Sequence, residues 1–409
     1  MTVDAPHRRA RLPATVVGLG VVSLFTDVSS EAIFPLLPAF LATLGASNTF
    51  IGLVEGAADL VANVLKYVTG LVADRRARLK PLVLAGYGLS TAARPLVALA
   101  LAPWHVLVVR VVDRIGKGVR TSPRDALIAH ATEPGIRAEA YGFHRAMDHA
   151  GAALGTVFAV VLLWLLGATA GRAATAGQMR TVFLWAAVPG AAALVALALT
   201  REPPPGAPAA AGAPPSQPLP PELRRTLLPI TLFAFANATD AFILVKATRL
   251  GAPTIVAPLL WLALHLVKAS TATTGGRLAD RFGRRSALAL GWSVYGVTWG
   301  AVGFVGSVPL LFVLTAVYGT SHGLVEGAER ALVAELARGA GKGKAFGAYN
   351  MAIGFAALAA STAFGFVWDR LGSAAAFSAS GAVAFLAAAV LLATGPGGSR
   401  RKSLAPGRG

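Results

Sequence analysis

Apolar residues along this chain come in blocks of about twenty, the length of a membrane-spanning helix. They do not form thin helical stripes or strict alternation. The runs 154–166 and 374–393 are clear cases. As an α-helix, a block of that length rises about 30 Å, the hydrocarbon thickness of a bilayer. The pattern predicts six spans in the first half, near 14–44, 48–73, 81–102, 104–129, 139–167 and 179–200. Six more follow near 226–249, 254–276, 286–306, 308–336, 344–369 and 373–395. Backbone groups in lipid must pair inside their own segment, so the spans are predicted helical and the fold an all-α polytopic membrane protein. One stretch breaks the rhythm. Residues 201–225 carry Pro203-Pro204-Pro205, Pro214-Pro215 and Pro220-Pro221 with no periodicity, which reads as a linker. It separates a bundle at 1–200 from a bundle at 226–395, and a basic tail occupies 396–409.

The halves resemble each other in sequence. Gly70-Leu71-Val72-Ala73-Asp74-Arg75 returns half a chain later as Gly276-Arg277-Leu278-Ala279-Asp280-Arg281. Arg124-Asp125-Ala126-Leu127 returns as Glu329-Arg330-Ala331-Leu332, and Ala140-Tyr141-Gly142 as Ala345-Phe346-Gly347, in nearly the same register. The period is far longer than the roughly 20–50 residues of a solenoid. A duplicated half inside a membrane-embedded chain points to a transporter of two related bundles.

Composition agrees. The chain is 55% hydrophobic and 14% charged, against about 25% charged in soluble domains. The formal charge of +18 alone would suggest a nucleic-acid partner. Its basic residues, however, cluster in alternate loops, at Arg8-Arg9-Arg11, Arg75-Arg76-Arg78-Lys80, Arg224-Arg225, Arg281-Arg284-Arg285, Lys342-Lys344 and Arg400-Arg401-Lys402. That asymmetry predicts topology, with both termini in the cytoplasm, and argues against nucleic acid. There is no cysteine, hence no disulfide or thiolate metal site. The basic-then-apolar start imitates a signal peptide, but the apolar run passes Asp27 and Glu31 without a cleavage pattern and reads as a retained span.

Gly70-x-x-x-Asp74-Arg75-x-x-Arg78 and Gly276-x-x-x-Asp280-Arg281-x-Gly283-Arg284-Arg285 resemble motif A of the major facilitator superfamily. The first copy has Ala77 where the motif has Gly. Phe25-Thr26-Asp27-Val28-Ser29-Ser30-Glu31, the run from Asp113-Arg114-Ile115-Gly116-Lys117-Gly118-Val119-Arg120 to Pro123-Arg124-Asp125, and Asn237-x-x-Asp240-Ala241-Phe242 resemble a prokaryotic branch of that superfamily. The resemblance implies twelve helices in two pseudo-symmetric six-helix bundles that rock about a central site. It further implies that Asp74 approaches the start of span 11 near Lys344 and Ala345, and Asp280 the start of span 5 near 138–140. A helix N-terminus favours a carboxylate there. Arg75, Arg78, Arg281 and Arg284 are then expected to join this gate with Asp125 and Glu329. The superfamily's antiporters carry a Pro in the Gly-rich motif of span 5, absent from Gly151-x-x-x-Gly155, which weakens an antiporter assignment.

Charges inside the spans are the candidate chemistry. On span 4, Arg110, Asp113, Arg114, Lys117, Arg120 and Arg124 fall within an arc of roughly 120°. A charge at mid-membrane costs about 2.5–3.5 kcal/mol on insertion scales, so the stripe must face partners or a wet cavity. Arg114, Lys117 and Arg120 are substrate-wall candidates, with Arg110 and Arg124 closer to structural ion pairs. Asp113 can pair with Arg110 or Lys117. Asp27 and Glu31 share a face of span 1, and two carboxylates in low dielectric suit proton coupling. Span 2 adds Lys66 on a face with Glu55, Asp59 and Asn63, of which Glu55 and Asp59 are expected to be hydrated near the outer end. Span 5 adds His144, Arg145 and Asp148. The second half adds Asn237 and Asp240, then His265 and Lys268, then Tyr318, His322, Glu326 and Glu329 on one face of span 10.

Lys117 aligns with His322 and Thr121 with Glu326, so the walls differ in sign, basic in span 4 and acidic-leaning in span 10. Asp27, Glu31, Asp148, Asp240 and Glu326 are the proton-coupling candidates. Lys66, Arg114, Lys117, Arg120, His144, Asn237, Lys268, Tyr318 and His322 are the cavity candidates. Gly339-Ala340-Gly341-Lys342-Gly343-Lys344 imitates a phosphate loop but lacks its spacing and its Ser or Thr. Asn237-Ala238-Thr239 imitates a glycosylation site inside a span. The histidines lack metal-ligand spacing and no hydrolytic constellation is visible, so neither metal, cofactor nor enzyme is expected. The expected function is proton-coupled export of a small polar or charged solute, by a monomer in a prokaryotic cytoplasmic membrane. Proton-driven import of an organic anion or sugar is the alternative, and a non-transporting membrane sensor or membrane-embedded enzyme a third.

Overall fold

The computed structural model describes residues 12–73, 76, 78–133, 136–168, 173–202, 218–337 and 342–394. Twelve helical rods run through the described residues. The first half holds α1 (Ala14–Thr43), α2 (Asn48–Ala73), α3 (Lys80–Leu99), α4 (Pro103–Ala131), α5 (Arg137–Leu165) and α6 (Ala176–Leu199). The second holds α7 (Pro221–Arg249), α8 (Val256–Phe282), α9 (Arg284–Val302), α10 (Val308–Leu336), α11 (342–371) and α12 (373–393). Helix α7 starts at Pro221, five residues inside the expected linker. Gly372 separates α11 from α12 at φ 86°, and Gly283 separates α8 from α9 at φ 88°, conformations glycine adopts without penalty. Eight helices, counting α11 and α12 as one, are long and apolar enough to cross a bilayer. Helix α4 falls outside that set because it carries the charged stripe, and α8 bends by 43°.

Packing repeats between halves. Helix α1 packs on α5 and α6, and α4 on α2 and α3, while α7 packs on α11 and α12, and α10 on α8 and α9. The halves meet along α2 against α11 and α5 against α8. The first contact is close: a Cβ on Gly52 would lie 1.9 Å from the Ser361 carbonyl oxygen, so only hydrogen fits. Gly151 and Gly155 likewise seat α5 against Leu24 and Val28 of α1. Outward, Leu154, Val161, Leu199, Leu228, Val297 and Leu392 are exposed, as a lipid-facing surface requires. Trp104, Trp164 and Phe304 are also exposed, near helix ends on the face opposite the linker, where aromatic rings favour the membrane interface.

Two helices are broken at matching places. A 3-10 turn at Phe34–Leu36 interrupts α1, where Pro35 and Pro38 remove backbone donors. Helix α7 stops at Ala236 and resumes at Ala241. The Ala236 carbonyl exposed by that break accepts hydrogen bonds from Tyr295 Oη (2.9 Å) and Ser380 Oγ (2.5 Å), so its polarity is answered inside the protein. Asp240 sits at the restart, which turns its carboxylate toward the space between the halves.

Candidate functional site

Between the halves lies a cavity of about 680 Å³. Its first-half wall includes Asp27, Lys66, Lys117, Arg120, Asp125 and Asp148; Glu326 and Arg330 face them from α10. A deeper recess of about 250 Å³ shares Glu31 and Lys117 with it and adds Asp59, Arg114, Asn237, Asp240 and His322. A third, of about 200 Å³, runs into the second half past Glu329 and Tyr349. The Asp125, Arg145, Glu326 and Arg330 side chains are about half exposed, so the main cavity is wet.

The charged stripe of α4 is divided. Its outer part is locked in a buried network. Arg110 donates to both oxygens of Glu55, at 3.2 and 2.5 Å, and stands 3.8 Å from Asp113. Asp113 accepts from Arg94 Nε at 3.0 Å, and Arg94 also donates to the Thr26 carbonyl at 2.9 Å. Helices α1, α2, α3 and α4 are thereby tied together. Of the two partners expected for Asp113, Arg110 is the one it meets, with Arg94 added, while Lys117 lines the cavity. One expectation changes. Glu55 is 4% exposed, not hydrated, because Arg110 lies at the same depth on the neighbouring helix. Arg120 lies over the Tyr87 ring at 4.4 Å and donates to Ser90 Oγ at 2.7 Å. Arg124 pairs with Asp125 at 2.8 Å.

The second-half wall is organised around Asp240. Its carboxylate accepts from Lys268 Nζ at 2.8 Å and from the Tyr318 hydroxyl. Because the single phenol proton goes to Asp240, His322 Nε2, 2.8 Å from the Tyr318 oxygen, is the donor of that pair. The four side chains form one hydrogen-bonded chain from α8 through α7 to α10. Glu326 stands 3.7 Å from Arg145 across the bundle interface and 3.6 Å from Arg330. In the first half, Asp148 accepts from Ser23 and lies 3.5 Å from His144 and 3.6 Å from Arg145. Glu31 accepts from Trp261 Nε1 of α8 at 2.7 Å, a hydrogen bond that crosses between halves.

Among the described residues, those expected to form a gate lie toward the linker-side ends of their helices. Asp74 and Arg75 lie outside the described residues. Arg78 is exposed, and Gly70 faces Ser122. In the second copy, Gly276 lies in the last turns of α8. Asp280 is exposed in a surface recess with Arg284 and Glu335, Arg284 pairs with Glu335, and Arg281 lies over Phe282 at 5.4 Å. Glu329 is buried and accepts from the Tyr349 hydroxyl of α11 at 2.7 Å. Trp261 and Arg94 escape the sequence reading. A lone arginine in an apolar span is a visible signal, and Arg94 is one. Nothing in the sequence sets Trp261 apart.

Two broken helices, mirrored packing and a wet cavity between halves are the architecture of a rocking transporter. The family model of the Major Facilitator Superfamily matches residues 19–267 and 247–408, nearly the whole chain. The chain belongs to the Major Facilitator Superfamily. It is a transporter, not an enzyme. The MFS-type transporter MJ1317 of Methanocaldococcus jannaschii is 29% identical over 364 residues, covering 87% of this chain and 89% of that protein. Multidrug resistance protein MdtH of Yersinia enterocolitica is 32% identical over 135 residues, a third of each chain. A bacterial homolog of the human lysosomal transporter Spinster, in an inward-facing and occupied conformation, shares the fold at a TM-score of 0.71 and 16% identity, over 93% of this chain and 96% of that one.

Proposed function

We propose that this transporter exports a small polar or charged solute in exchange for protons, by alternating access between two bundles, 1–200 and 226–395. The observation that carries the reading is the placing of carboxylates on both walls of the central space, in the wet cavity and the recess that adjoins it. Asp27, Glu31 and Asp148 lie on one side, Asp240 and Glu326 on the other. A carboxylate in such a cavity can exchange protons with water, and its charge state changes the contacts that hold the walls together. Asp240 couples charge to structure most directly, since losing its charge would release Lys268 and Tyr318 together. The stretch of similarity to MdtH, whose name is that of a multidrug resistance protein, favours export. The basic loop clusters favour a cytoplasmic linker face, which puts both termini in the cytoplasm. The motif-A residues and Asp125 and Glu329 act in this scheme as the linker-side gate.

Proteoliposomes loaded with a pH-sensitive dye test the reading. A candidate solute should move protons in the wild type, and Asp240→Asn should lower that flux by tenfold or more. Solute movement without proton movement would remove the coupling. A second reading, uptake of an organic anion with protons, is favoured by the basic groups of the first-half wall. Solute counterflow in vesicles of known orientation separates the two directions.

A further inference from the structure

Six basic side chains of α2, α3 and α4 fall into two sets, apart from Arg120, which is held by Tyr87 and Ser90. Arg94, Arg110 and Arg124 each reach a carboxylate at 3.0 Å or less. Lys66, Arg114 and Lys117 do not. Among the described residues, none of these three has a carboxylate within ion-pairing distance. Lys66 reaches Asn63 Oδ1 at 3.3 Å, and Arg114 Nε is buried with no hydrogen-bond acceptor. All three line the central space, Lys66 the main cavity, Arg114 the deep recess and Lys117 both.

Their helices hold them on one wall. Ser122 Oγ of α4 donates to the Lys66 carbonyl at 2.8 Å, and Thr69 Oγ1 of α2 donates to the Gly118 carbonyl at 3.0 Å. These bonds fix α2 against α4 where Lys66 and Lys117 emerge. The nearby carboxylates do not answer them: Glu31 accepts from Trp261, Asp148 is engaged by Ser23, His144 and Arg145, and Asp27 and Asp59 stand beyond pairing distance. A buried donor without an acceptor, as Arg114 Nε is, is costly, and a charged acceptor relieves it while attracting the ammonium groups of Lys66 and Lys117. An arginine fork flanked by two ammonium groups matches the oxygens of a carboxylate or a phosphonate.

We infer that Lys66, Arg114 and Lys117 form an anion subsite that binds the carboxylate or phosphonate group of the transported solute. The inference rests on the reading of the chain as a solute transporter and narrows it to organic anions. The far end of such a solute then faces Asp240 and His322 across the deep recess, whose imidazole suits a polar tail.

The test uses the purified full chain in phosphatidylcholine nanodiscs, titrated with succinate and with methylphosphonate at fixed ionic strength, with choline as the cationic control. Binding is read by tryptophan fluorescence, Trp261 lining the recess, and by thermal shift. Succinate or methylphosphonate is expected to bind saturably and choline not to. Arg114→Gln and Lys117→Gln should each weaken binding by about tenfold or more, and Lys117→Arg should retain it. Unchanged melting of the unliganded variants shows that they fold. Binding of choline in preference to both anions, or anion binding equal in wild type and both glutamine variants, overturns the subsite. Loss of succinate binding when phosphatidylglycerol replaces phosphatidylcholine assigns the groups to a lipid headgroup and overturns the solute assignment. Proton flux separates the two claims. Anion binding lost in the variants, with no proton flux in wild-type proteoliposomes, keeps the subsite and removes proton coupling. Choline-driven proton flux untouched by Lys117→Gln removes the subsite and keeps the coupling.

Discussion

Arg110 and Glu55 show how much a single buried pair carries here. Both side chains are under a tenth exposed, and Arg110 also leans on Asp113, which in turn holds Arg94. Removing one member strands a charge in low dielectric, which costs about 3–5 kcal/mol in comparable buried pairs. Glu55→Gln should therefore lower the thermal stability of the purified protein sharply. The double variant Glu55→Met with Arg110→Met should recover much of it, because two apolar side chains leave fewer charges behind. A double variant as unstable as the single one would show that the pair does more than neutralise itself. The α4 stripe was legible as a face, since helical spacing alone puts Arg110 to Arg124 on one side. Which of its charges are neutralised was not. That depends on Arg94 and Glu55, on two other helices, whose depth and azimuth no periodicity gives. Lys117 and Arg114 differ from Arg110 only in what stands opposite them.

Helices are the scale at which the chain was most readable. Runs of apolar residues fix where each rod lies in the bilayer, and the duplicated motifs fix which rods correspond. The breaks were less readable. Pro35 and Pro38 announce the one in α1, but α7 breaks at Asn237, where no proline stands, and Pro229 earlier in the same helix does not break it. The break is stable because Tyr295 and Ser380, far away in sequence, supply donors for the Ala236 carbonyl. Close approach between helices is also invisible in a run of small residues until the partner is known. Gly52 meets the Ser361 carbonyl of α11, and the space for a methyl group is absent. Gly52→Ala should push α2 off α11 on the face opposite the linker, at a cost of about 1–3 kcal/mol typical of overpacking. The wild-type seating is checked by cross-linking a cysteine pair at Thr49 and Asp369, whose side chains meet at 2.6 Å. The yield should fall in Gly52→Ala, and an unchanged yield would show that the helices absorb the methyl group without moving.

The two halves are joined most tightly on the face opposite the linker. There Asp369, at the end of α11, accepts four hydrogen bonds from the first turn of α2. They come from the Asn48 backbone at 3.1 Å and side chain at 2.8 Å, and from the Thr49 backbone at 2.8 Å and hydroxyl at 2.6 Å. A carboxylate from one half thus caps a helix of the other, where the helix dipole favours negative charge. Ala174 of the first half adds a bond to Thr254 of the second at 2.8 Å, and Glu31 with Trp261 another deeper in. If the halves rock as rigid bodies, this latch must open whenever the opposite face does. Neutralising Asp369 weakens bonds made in this conformation and absent from the other, so it shifts the balance rather than unfolding the protein. Asp369→Asn loses charge-assisted bonds worth about 1.5–3 kcal/mol, enough to move a two-state ratio by tenfold or more. The chain has no cysteine, so spin labels can be placed on an otherwise native background. Labels at Leu99 and Phe304 report the face opposite the linker, and labels at Glu133 and Phe282 report the linker face; all four positions are exposed. In Asp369→Asn the first distance should lengthen and the second shorten together. Lengthening at Leu99 and Phe304 with no change at Glu133 and Phe282 would mean a local loosening of α11, and rigid rocking of the halves would have to be given up.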